Sequence, residues 1–111
     1  MTVDNPNIID FVTLGPDGAA VLVMVEHRPW DGTDERLYQL QEKINRYAAF
    51  ALDGELVRQY PDLSQKPVRL ELRYETAPDA KTAVFFLKVQ DALAKEGLAF
   101  RADYIRPRPL G

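Results

Sequence analysis

The stretch PVRLELRYE, residues 67–75, decides how the rest of this chain can be arranged. Its alternation is strict: Val68, Leu70, Leu72 and Tyr74 fall on one side, Arg69, Glu71, Arg73 and Glu75 on the other. That is the pattern of a β-strand with one apolar and one wet face. A sheet containing it must carry its covering layer on a single side.

Outward from this strand, two segments before it are rich in β-branched and apolar residues, 8–14 and 19–27, and they flank the tetrapeptide GPDG at 15–18. The pair reads as a β-hairpin. Pro16 presets the negative φ of a turn's first central residue, and Gly18 can supply the positive φ that closes a bulged hairpin. Between hairpin and strand, Thr33 is placed to cap a helix from Asp34 to about Leu52, with Asp34 and Glu35 near the positive end of its dipole. Leu37, Leu40, Ile44, Tyr47, Ala48 and Ala51 form its apolar face, while Glu35, Gln39, Glu42, Lys43 and Arg46 lie away from it. Phe50 falls off that stripe, so residues 54–60 are expected to fold back over it through Leu56 and Val57, ending at Pro61.

After the decisive strand, Thr76 with Asp79 three residues on and Pro78 between them resembles a capped helix start, and the helix should run to about Glu96. Its stripe reads as Ala83, Phe86, Leu87, Gln90, Leu93 and Ala94. Gly97 followed by Leu98 is a helix stop, and 98–105 form a last strand in which Phe100, Ala102 and Tyr104 alternate with Arg101 and Asp103. Residues 106–111 read as an extended tail. The order is ββαβαβ in one domain spanning 1–111. Right-handed crossovers place both helices on one face only when the sheet keeps growing in one direction, which the one-sided third strand demands. The expected fold is α+β: a two-layer sandwich, a mixed four-stranded sheet with two helices on one face.

Composition narrows the function classes. The 111 residues are 46% hydrophobic and 28% charged, the balance of an ordinary folded domain. With no cysteine, the chain has neither disulfides nor thiol chemistry. The opening residues MTVDNPNIID lack the basic and apolar regions of a secretory signal, and no apolar run approaches the roughly 20 residues of a membrane span, so a cytoplasmic location is expected. A net charge of -3 argues against nucleic acid, despite the basic and aromatic group Arg101, Tyr104, Arg106 and Arg108.

Individual residues offer little chemistry. Ser64, the only serine, lacks a nucleophile elbow, and the carboxylates Asp31, Asp34 and Glu35 suit helix capping while Glu71 and Glu75 suit a solvated charge ladder. No catalytic residue, metal site or cofactor is indicated. His27, Trp30 and Asp31, at a strand-to-helix turn, are the candidate ligand-binding residues of an alternative reading, a small-ligand or metal-binding domain, although a tryptophan just before a cap can also seal the helix entrance. The hairpin's second strand is apolar on both sides, Val21, Val23 and Val25 opposing Leu22 and Met24. Its outer valines therefore need cover from the tail or from a second subunit, which makes them the candidate interface of a homodimer or a protein complex.

Asn5 and Pro6 before Ile9 and Asp10, then Trp30 and Asp31, Leu37, Leu40, Lys43, Ile44 and Tyr47, and Gly54 with Tyr60 and Pro61 form a recognisable set. In these motifs the chain, from Val3 to Tyr104, resembles a family of small bacterial proteins known only as a domain of unknown function. The resemblance implies a bacterial cytosolic protein with no assigned activity, and it carries over no site residue.

Overall fold

The computed structural model of the protein describes residues 11–105. Two strands open it, β1 (Phe11–Leu14) and β2 (Ala20–Glu26), joined by the expected turn: Gly18 N–H donates to the Gly15 carbonyl at 3.0 Å, and Gly18 takes φ +86°. Residues 8–10 of the expected first strand lie outside the described residues. Helix α1 (Asp34–Leu52), a short helix α2 (Glu55–Gln59) and a 3-10 turn (Pro61–Leu63) lead to β3 (Val68–Tyr74), then α3 (Ala80–Lys95) and β4 (Ala99–Tyr104). Apart from α2, which organises the predicted fold-back, the order is ββαβαβ.

The sheet order is β1-β2-β3-β4, with β1 antiparallel to β2 and the three later strands parallel. The sheet thus grows in one direction, as two same-handed crossovers onto one face require. Ala20, Leu22 and Met24 of β2, Leu70 and Leu72 of β3, and Phe100 of β4 share a single core with Leu40, Ile44 and Tyr47 of α1 and Val89 and Leu93 of α3. This is the α+β sandwich that the alternation in 67–75 demanded.

Several local readings are corrected by packing. Phe50 is buried with Leu56, but Val57 points to solvent at 40% exposure. Lys43, read as lying away from the apolar face, is buried, its ammonium 5.3 Å from the centre of the Tyr47 ring, where cation and aromatic face attract. The cap of α3 is Asp79 rather than Thr76: its carboxylate accepts from Thr82 N–H at 2.9 Å, and Pro78 precedes the helix. The stripe of α3 is rotated as well. Thr82, Val89 and Leu93 are buried and Phe85 and Phe86 half-buried, leaving Ala83, Leu87, Gln90 and Ala94 exposed. At its other end the helix stops as read: Gly97 takes φ +79°, and Leu98 N–H donates back to the Leu93 carbonyl at 2.9 Å while its side chain is buried.

The wet face of β3 is drier than a solvated ladder. Glu71 is buried between Arg69, at 2.9 Å, and Arg73, at 3.2 Å, and Arg69 reaches on to Asp17 at 2.7 Å. That Arg69 bond is the first cause holding the Asp17 carboxyl below its ordinary 3.8; bonds from Thr82 do the same for Asp79, and bonds from Thr33 for Asp31. Each group is more acidic folded than unfolded, so its stabilisation is present above about pH 3.8 and is lost as pH falls through the lower folded value. Below pH 4 the protein is therefore expected to unfold more readily. Asp79→Asn, which keeps a good cap without the charge, should flatten part of that slope when unfolding is followed by circular dichroism. An unaltered slope would show that Asp79 makes no such contribution.

Candidate functional site

Ladder alternation carries Ala20, Leu22 and Met24 on to Glu26, so this carboxylate also points toward the helix layer. It is 0% exposed at the carboxyl end of β2. Arg28 clamps it: its backbone N–H and Nε donate to Oε1 at 2.9 and 3.0 Å, and Nη2 donates to Oε2 at 3.0 Å. Arg36 from α1 brings Nη2 to 3.1 Å from Oε2 as an ion pair without hydrogen-bond geometry, and its Nη1 donates to the Pro29 carbonyl at 2.6 Å. With both oxygens engaged, Glu26 is built to hold the 27–33 loop and the start of α1 against the sheet. Taken alone, neither β2 nor α1 singles it out; its signal in the sequence is the two-residue period of β2 running one step past Met24.

The three candidate ligand residues diverge from this centre. His27, exposed, pairs through Nδ1 with Glu75 beyond the end of β3. Trp30 turns inward, its ring edge-on to Phe86 at 5.8 Å and to Tyr74 at 6.4 Å, while Nε1 donates to the Thr76 carbonyl at 2.8 Å and the Arg36 guanidinium lies 5.4 Å from the ring centre. It seals the junction of β3 and α3 more than the entrance to α1. Asp31 accepts from Thr33 N–H at 3.0 Å and from Thr33 Oγ1 at 2.7 Å, fixing the residue that caps α1. Among the described residues, no three His, Asp or Glu side chains converge as metal ligands would.

The candidate interface valines lie on the outer face of β2, an interior strand of the sheet. Val21 and Val23 are each 1% exposed and Val25 is half-buried, so the single chain already removes the first two from solvent. Accessible apolar surface lies elsewhere. A cleft between α1 and α3 has two sections of about 370 and 350 Å³, lined by Leu37 and Val84 and by Ile44 and Val89 among others. A groove of about 400 Å³ runs between α3 and the edge strand β4, walled by Tyr74, Phe86, Leu87, Phe100 and Ala102 with Gln90 and Arg101 at its polar side. Leu87 at 62% and Tyr104 at 54% exposure stand beside that edge.

The model of a family of unknown function (DUF6572) matches residues 1–106. The chain belongs to this family. No curated protein and no solved structure matches the DUF6572 chain. Among its described residues, no helix is long and apolar enough to cross a membrane.

Proposed function

We propose that this DUF6572 chain is a non-enzymatic, self-associating binding module of the bacterial cytosol, and that it associates through the free edge of β4 beside the α3 groove. The observation that carries the reading is the edge itself. Ile105 N–H donates to the Tyr74 carbonyl at 2.7 Å, so the backbone groups of Ile105 face β3. Alternation then turns those of Arg101 and Asp103 the same way and those of Phe100, Ala102 and Tyr104 outward. Among the described residues β4 pairs only with β3, so an added strand would find three residues' donors and acceptors with an apolar groove alongside.

Ala102→Pro tests this directly. Proline removes an N–H that faces away from β3, a place where edge strands tolerate it. The parent is expected to sediment as a dimer and the variant as a folded monomer. A parent that stays monomeric at every concentration, or a variant that dimerises as the parent does, would overturn the reading. The alternative of a small-ligand or metal-binding domain with a site near His27 and Trp30 is supported only by the exposed His27–Glu75 pair at the carboxyl ends of two parallel strands, where open sheets often bind ligands.

A further inference from the structure

We infer that the occupant of the β4 edge is the β4 edge of a second copy, related by a two-fold axis through Ala102. The inference rests on the self-association proposed above and adds its register.

Chemistry along β4 selects that axis. In an antiparallel pair, residues directly opposite must both turn their backbone groups toward the partner or both turn them away. With Phe100, Ala102 and Tyr104 outward, an isologous pairing can be centred on a residue of β4, and the neighbouring choices differ sharply. An axis through Arg101 sets Arg101 against its own copy, and an axis through Asp103 sets Asp103 against its own. Both place like charges opposite, which destabilises a pair. An axis through Ala102 sets Arg101 opposite the second copy's Asp103, and Asp103 opposite its Arg101, as non-hydrogen-bonded pairs whose side chains stand closest. Within one chain, Arg101 Nε and Asp103 Oδ2 already lie 2.7 Å apart on this exposed face. The dimer would close the two pairs into a ring of four alternating charges.

The other face agrees with the same register. Phe100, Ala102 and Tyr104 point to the helix side, where Phe100 joins the core and Tyr104 lies 6.2 Å from Tyr74. Centred on Ala102, each Phe100 comes opposite the second copy's Tyr104, an aromatic cross-strand pair that covers a half-exposed ring. The small side chain of Ala102 sits on the axis, where two large residues would collide. The result is a continuous eight-stranded sheet with both α3 grooves facing the seam.

Charge exchange provides the test. Arg101→Asp alone and Asp103→Arg alone place like charges across the seam, and each is expected to weaken the dimer at least tenfold in sedimentation equilibrium while melting as a folded protein. An equimolar mixture of the two variants restores unlike pairs and should form a heterodimer of near-parental affinity, and the double exchange should self-associate like the parent. As a second readout, Ala102→Cys, in a chain otherwise free of cysteine, should form an interchain disulfide on mild oxidation, whereas Ala99→Cys should not. If the parent dimerises but the single exchanges leave it unchanged, or the mixture fails to recover, this register is wrong while edge-mediated association stands. A parent that is monomeric throughout overturns both.

Discussion

Glu26→Gln is expected to lower the unfolding free energy by about 3–5 kcal/mol, the cost of breaking a buried ion cluster by removing one partner. The amide keeps the shape of the side chain but neutralises the carboxylate that Arg28 and Arg36 both approach, and it turns an NH2 donor toward guanidinium donors. Because a domain of this size is stable by about 5–15 kcal/mol, the change would consume a large part of the margin. Urea unfolding gives the measurement, the midpoint falling while the slope is preserved. A loss below about 1 kcal/mol would mean that the carboxylate is solvated and that the 27–33 loop is held by other contacts.

The second large effect is expected at Trp30. Trp30→Ala removes an indole packed edge-on to Phe86 and Tyr74. Its cost should be about 3 kcal/mol, near the lower end for a large aromatic because the ring is only half-buried. Trp30→Phe keeps a ring against Phe86 and loses chiefly the bond to the Thr76 carbonyl, a change of about 1 kcal/mol. Stability falling in that order by urea titration identifies a packing residue. If Trp30→Ala instead leaves the midpoint unchanged, the side chain is free of structural duty and the ligand reading of this turn gains its place.

Much of the architecture was legible in residues 67–75, because a strand whose alternation never fails permits only a one-sided layer. The hairpin, the Thr33 cap and the stop at Gly97 were legible for a similar reason, each resting on backbone chemistry a few residues long. What escaped the sequence was decided by tertiary contact. Residues 83–87 are Ala, Val, Phe, Phe and Leu, five apolar neighbours whose periodicity cannot say which face turns inward. Phe86 is drawn in because Trp30 and Phe100 meet it, and Leu87 is left out. Lys43 and Glu26 were hidden by their charge: neither looks like a core residue until an aromatic ring or a pair of arginines lies beside it. The candidate site is legible in the sequence only as a cluster along the chain, for the same reason. His27, Trp30 and Asp31 are neighbours in the chain whose partners come from three different places, Glu75, the β3–α3 junction and Thr33.

Strand order in the sheet repeats strand order in the chain. During synthesis each new strand therefore meets a neighbour already made, and no strand must be wedged between two that have already paired. The hairpin supplies a local starting ladder, β3 docks on β2 once α1 has emerged, and β4 comes last of the described strands. A nascent chain halted before β4 would leave β3, with Leu70 and Leu72, as an unfinished border. Completing the sheet replaces that border with one marked by Arg101 and Asp103.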